Sequence, residues 1–229
     1  MKTTLVAISA LALASSAFCA EPKTEVLDAI KKLAGSSGYS WVSTPKTEGS
    51  ESARRLGAIE GKTQSDGYTY LKSAAGETTV EIALKGEKMA VNYNGNWLSS
   101  AEIGENNSTI KRLRAMKPPA QEAETLAGKA AELKKEADGL YSGDMKPDAA
   151  KELFALLGRR AAEAPEAKGS MKFWIKDGGL SKYEFVVGGK IKVGGEEKRE
   201  VDISRTTTVD IKNVGSTTVS LPEDAKNKL

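Results

Sequence analysis

Lysines, carboxylates and hydroxyls are the groups left to do chemistry in this chain. Its sequence carries no histidine, and its one cysteine, Cys19, lies within the first twenty residues. Histidine and cysteine supply most general bases, most soft metal ligands and every thiol nucleophile. A lysine-activated serine is still open, and Ser43-Thr44-Pro45-Lys46 has the Ser-x-x-Lys spacing. That chemistry needs the two side chains one helical turn apart, and Pro45, after an alternating strand-like run, forbids a helix there. The glycine pairs Gly188-Gly189 and Gly194-Gly195 have the look of a phosphate loop. Such a loop must run from a strand into the N-terminus of a helix. Both pairs lead instead into strand-like sequence, so they are read as hairpin turns. The acidic residues are scattered, Glu196-Glu197 falls in one of those turns, and no calcium-loop spacing occurs. Two carboxylates far apart in sequence could still form a glycosidase pair. The inventory nonetheless argues for a non-enzymatic protein with no catalytic residues, no metal ligands and no cofactor.

The densest basic cluster is Lys111, Arg112, Arg114 and Lys117, with Ile110 and Leu113 between them. It reads as a solvated helix start or loop, or as a contact for anionic head groups or a partner protein at the rim of a cavity. Over the whole chain 34 basic residues face 31 acidic ones, a net charge of +3. So small an excess gives no nucleic-acid footprint. Asn106 to Thr109 holds overlapping glycosylation-type triplets, which are common by chance.

Residues 1–20 have the three parts of a secretory signal: Lys2, the apolar run Leu5 to Leu13, and small residues up to Ala20. The run is shorter than the roughly 20 residues that span a bilayer, and no later stretch is longer. The expectation is an exported protein of the bacterial periplasm, cut between Ala17 and Ala20, with no transmembrane segment in the mature chain. Acylation of Cys19 is the minority alternative, because Phe18 stands where that processing prefers a small residue.

The elements that must position any site can be read from periodicity. Val26, Leu27, Ile30 and Leu33 have helical spacing, closed by Gly35. Tyr39 to Ser43 alternates and is expected to end at Pro45. Further strands are expected near Ala58 to Gln64, Tyr68 to Ser73, Thr78 to Lys85 and Lys88 to Tyr93, with Asn94-Gly95-Asn96 turning into Trp97. Pro118-Pro119 opens an Ala, Glu and Lys-rich segment in which Ala123, Leu126, Ala130, Leu133 and Ala137 repeat at helical spacing, up to Gly139. A second helix follows Pro147, with Ala150, Leu153, Phe154 and Leu157 inward. Met171, Phe173 and Ile175 alternate before Asp177-Gly178-Gly179, and Tyr183, Phe185 and Val187 alternate after it. Val201 to Lys212 and Thr217 to Leu221 are the last expected strands. Short turns between strands favour antiparallel pairing. An antiparallel sheet with one apolar face needs cover, and the central helices are available to supply it.

The segment Gly169 to Glu184, GSMKFWIKDGGLSKYE, resembles the strand-turn-strand phrase of a known superfamily. Arg205-Thr206-Thr207-Thr208-Val209 and Val219-Ser220-Leu221-Pro222-Glu223-Asp224-Ala225 resemble its closing strands. Gly86-Glu87-Lys88 with Asn94-Gly95-Asn96-Trp97 resembles its early hairpin. The superfamily is the LolA/LppX-like group of periplasmic lipoprotein carriers and lipid-binding lipoproteins, and the resemblance spans most of Lys23 to Leu229. It implies an α+β protein, an antiparallel β half-barrel with helices covering its concave face around a cavity for acyl chains. The expected layout is a signal over 1–20 and a single such domain over 21–229, with a helical insert at about 107–160. The group's gating arginine has no assigned position here, since Arg54 and Arg55 fall in a loop.

The function expected on this reading is to hold a hydrophobic small molecule or lipid between sheet and helices. Candidate lining residues are Trp41, Tyr70, Ile82, Val91, Phe173 and Phe185 from strands, with Leu126, Leu133 and Phe154 from helices. Lys111, Arg112, Arg114 and Lys117 are the candidate head-group or partner contacts. The alternative is a cell-envelope interaction or sensing module with a filled core, no bound ligand and an envelope protein as partner.

Overall fold

The computed structural model describes residues 21–49, 57–75, 78–104, 107, 110, 113–114, 116–194 and 199–229. Cys19 and the signal-like segment, Arg54, Arg55, Lys111, Arg112 and Gly195 to Glu197 lie outside the described residues. Eleven strands form a single sheet in which every pairing is antiparallel. They are β1 (Gly38–Glu48), β2 (Ile59–Gln64), β3 (Tyr68–Ala75), β4 (Thr78–Lys85), β5 (Lys88–Tyr93), β6 (Asn96–Ser99), β7 (Lys134–Ala137), β8 (Leu140–Asp144), β9 (Ala167–Lys176), β10 (Gly179–Val193) and β11 (Arg199–Lys212). The spatial order is β6-β5-β4-β3-β2-β1-β11-β10-β9-β8-β7. Two meanders are therefore joined edge to edge by β1 and β11, and the sheet stays open, an antiparallel half-barrel with helices.

Side-chain period 2 puts cross-strand partners on one face. Trp41 faces Gly61, then Leu71, Ile82 and Val91 follow strand by strand. Two residues along β1, Ser43 begins the row Val209, Tyr183, Phe173 and Tyr141. This is the concave, apolar face. Gly61 belongs in it because a Cβ there would sit 2.1 Å from the Trp41 ring.

The helices whose bounds the described residues give are α1 (Pro22–Ala34), α2 (Ser100–Ile103), α3 (Pro119–Lys129), α4 (Pro147–Ala155), α5 (Arg159–Ala162) and α6 (Glu223–Lys226). Each of α1, α3 and α4 opens with proline in the first turn, where its missing N–H costs nothing. α1 buries Val26, Ala29, Ile30 and Leu33, one stripe at helical spacing. It packs on α3 and on β10, while α4 packs on β9 and β10. The N-terminal helix thus shares the concave face with the central helices expected to cover it.

Several expectations are corrected. β1 continues through Pro45 to Glu48, because from Thr44 onward it pairs only with β11 and its other side needs no donor. Gly188-Gly189 is not a turn but the middle of β10. A Cβ on Gly189 would lie 2.9 Å from the Phe154 ring and 2.7 Å from the Glu166 carbonyl oxygen, so the strand needs glycine there to receive α4. The helical segment expected up to Gly139 stops at Lys129. Ala130 turns extended (φ −63, ψ 138), and β7 and β8 form a hairpin inside the supposed helical insert. Leu133 lies just before β7 rather than on a helix. Thr217 to Leu221 forms no strand. It runs irregularly over the outer face, where the Val219 N–H donates to Gln64 Oε1 at 2.8 Å and Leu221 and Ala225 pack on Ala83, Ala90 and Trp97.

Candidate functional site

The middle of the half-barrel is filled. Phe154 and Phe173 are 0% exposed, as is Tyr183, and Leu126 and Leu133 are buried beside them. Of the residues expected to line a cavity, Trp41, Ile82, Val91, Phe173 and Phe185 share the concave face, and Leu126, Leu133 and Phe154 belong to the same packed core. Tyr70 does not join them. Its cross-strand partners are Lys62 and Ala83 on the convex face, where its hydroxyl donates to Glu81 at 2.6 Å.

Polar groups tie the helices to this core. Glu122, in the first turn of α3, points inward and accepts from the Tyr183 hydroxyl, while the Ala120 N–H reaches the Tyr39 hydroxyl at 3.4 Å. Burial raises the Glu122 carboxyl, against the Tyr183 bond and the charge of Lys117, which favour ionisation. Burial, and then the Glu122 charge, pushes the Tyr183 hydroxyl well up. On α1, Glu25 accepts from Tyr141 of β8 and from Lys135 of β7, the latter at 3.1 Å. The Tyr141 bond foremost, then Lys135, hold this carboxyl below its ordinary value. Both carboxylates escape a search for catalytic pairs, yet each has a sequence signal: Glu122 neighbours the apolar stripe of Ala123 and Leu126, and Glu25 that of Val26.

At one end of the strands the packing opens into a cleft of about 1170 Å³. Its apolar wall is Tyr39, Leu84, Met89, Met116 and Ala120, and its cations are Lys88, Arg114, Lys117 and Lys228, against Glu87. Arg114 donates to Ser100 Oγ at 2.9 Å and Lys117 to Thr125 Oγ1 at 3.1 Å. Ser99 and Glu102 cap α2 reciprocally, and Lys228 pairs with Glu102 at 2.5 Å. Lys228 first, and then the cap, lower Glu102 to about 2. Two of the four basic residues singled out in the sequence, Arg114 and Lys117, thus line this cleft. None of the nine expected lining residues does. Leu84 and Met89 were legible as partners in the alternations of Ile82 and Val91, one step nearer the strand ends.

Chemically the cleft offers an apolar wall and positive charge. Among the described residues no group of three or more acidic, histidine or cysteine side chains is arranged to hold a metal ion. Among them, too, no helix is long and apolar enough to cross a membrane.

No protein-family model matches the chain, and no curated protein does. Among solved structures, LprF from Mycobacterium bovis superposes with a TM-score of 0.50 over 90% of this chain and 100% of that one, at 12% identity. The lipoprotein LppX from Mycobacterium tuberculosis gives 0.49 over 86% and 96%, at 10% identity. A LolA superfamily protein from Nitrosomonas europaea gives 0.36 over 89% and 96%, at 11% identity. The likeness to LprF, at 12% identity, is one of fold alone.

Proposed function

We propose that this protein is an exported, non-enzymatic binding protein that holds a lipid or other amphiphile, its tail against the apolar wall of the cleft and its anionic head among the rim cations. The observation that carries the reading is the cleft itself, where Leu84, Met89 and Met116 stand beside Lys88, Arg114 and Lys117. Enzymatic alternatives lack a histidine anywhere in the sequence. Each methylene moved from water into such a wall contributes about 0.8 kcal/mol, so a long chain is held firmly. A chain longer than the cleft would reach Trp41, Ile82 and Val91 only if α1 and α3 lift from the sheet. The domain proposed is residues 21–229, released after a signal over 1–20, with an acylated Cys19 as the alternative.

Native mass spectrometry of protein purified without detergent tests this, with a fluorescent fatty acid as the probe. The expected result is a bound acyl species or saturable uptake, weakened by Leu84→Arg. A ligand-free protein that ignores the probe would overturn it. That outcome favours the second reading, an envelope interaction or sensing module without ligand, which the filled centre around Phe154, Phe173 and Tyr183 supports.

A further inference from the structure

Leu156 is 76% exposed, while Phe154, two residues earlier, is wholly buried. The contrast follows from how α4 is seated. Phe154 fits over Gly189, which fixes the rotation of the helix and turns Leu156, the residue just past its C-terminus, outward. The chain then reverses at Gly158 into α5, which buries Ala161 and leaves Arg159 and Arg160 in solvent. These arginines share a concavity of about 690 Å³ with Lys190 and Lys192 at the end of β10. Its carboxylates are Glu163 and Glu200. Glu163 is engaged by Arg159 at 3.1 Å and Glu200 by Lys190 at 4.0 Å, so the four cations less the two carboxylates leave an excess of two positive charges. Arg160 and Lys192 have no ion-pair partner among the described residues.

We propose that this end of the half-barrel, through Leu156, Arg160 and Lys192, docks on an anionic lipid surface. An exposed leucine followed within four residues by Arg159 and Arg160, which line a cationic concavity with Lys190 and Lys192, matches the bilayer interface, where the apolar tip enters the acyl boundary and the cations reach back to phosphates. A protein partner of ordinary size would need a broad complementary face with a buried anchor pocket. One leucine with dispersed cations offers no such face, whereas a bilayer demands no shape match. The patch is also far from the cleft. Lys190 pairs with Asp202 and Ser40 with Lys212, so ten positions of β11, about 33 Å, separate the two ends. A docked molecule would hold the cleft away from the surface it sits on.

The full exported chain is sedimented with phosphatidylcholine vesicles with and without phosphatidylglycerol, at low and high salt. Binding is expected only to the anionic vesicles and is expected to fall with salt. Each cation near such a surface contributes about fivefold, so Arg160→Glu with Lys192→Glu should weaken binding by at least about 25-fold. Leu156→Asp should cost about tenfold, from the apolar area no longer buried. These positions are exposed, and unchanged melting would show the variants folded. Uptake of the fluorescent fatty acid should be unaltered in all of them, which separates this inference from the ligand reading. It is overturned if the wild type ignores anionic vesicles, if the variants bind as well as wild type, or if only Arg114→Glu with Lys117→Glu abolishes sedimentation. Retention by an acidic protein without vesicle binding would likewise overturn it.

Discussion

Glu122 and Glu25 both accept from tyrosine hydroxyls of the sheet, yet they answer pH in opposite senses. Burial is the largest influence on Glu122, and its folded-state pKa lies above the ordinary value of 4.5. The folded protein therefore binds that proton more tightly than the unfolded chain, and stability falls as pH rises from about 4.5 through the raised value. Glu25 is governed by hydrogen bonds to its ionised form, and its folded-state pKa is lowered. Its contribution is complete above the unfolded value and is lost as pH falls through the depressed one. Glu122→Gln, which can still accept from Tyr183, should raise the melting temperature at pH 7 and leave it unchanged at pH 3. Glu25→Gln should lower it at pH 7, with the difference shrinking toward pH 3. Thermal melts across pH 3 to 8 check both, and a Glu122→Gln variant less stable at pH 7 would show that the ionised carboxylate is needed in place.

The seating of α4 on β10 explains why some elements were legible in the sequence and others were not. Phe154 touches the site where Gly189 lacks a side chain. Gly189→Ala should overpack the contact at a cost of about 1–3 kcal/mol. Phe154→Ala should open a cavity worth about 3–5 kcal/mol. Denaturant unfolding of the double variant should show a total well below the sum, because removing the ring makes room for the new methyl group, leaving only the approach to the Glu166 carbonyl. Additive costs would mean the two residues do not share the contact. A glycine pair has the same letters whether it turns a hairpin or admits a helix, and only the partner 35 positions away distinguishes them. The failure at β7 has another cause. All four of its residues are exposed, so no burial pattern marks the strand, and Leu133 continues the helical spacing of the stripe from Ala123 to Ala130. Asp138-Gly139, a strong hairpin dipeptide, was the competing signal. Strands β4 and β5 were readable because the larger apolar residues of their concave face, Val80, Ile82 and Leu84 and then Met89 and Val91, alternate with polar or small ones, although Ala83 and Ala90 on the other face are buried too.

The pairing of β1 with β11 joins residues about 165 positions apart, and nothing local in either strand specifies it. Neither the residues nor the resemblance named that pair, which only the folded sheet reveals. In the folded molecule the two meanders are also tied by segments that cross between them. α1 precedes the first meander but packs on α3, β7, β9 and β10, all beyond it in sequence. The segment after β11 returns to the first meander and buries Leu221 and Ala225 against Ala83, Ala90 and Trp97. No disulfide can assist, since the sequence has a single cysteine. These apolar contacts therefore carry the coupling that β1 and β11 alone would otherwise supply. Leu221 is 6% exposed, and Leu221→Ala should cost about 2–5 kcal/mol. If the crossing segment stabilises one meander in particular, hydrogen exchange should quicken in β3 to β6 and the Trp97 emission should shift to the red, while β9 to β11 keep their protection. A uniform rise in exchange across all eleven strands would instead mean that the open sheet unfolds as one cooperative unit, with β1 and β11 transmitting the loss from one meander to the other.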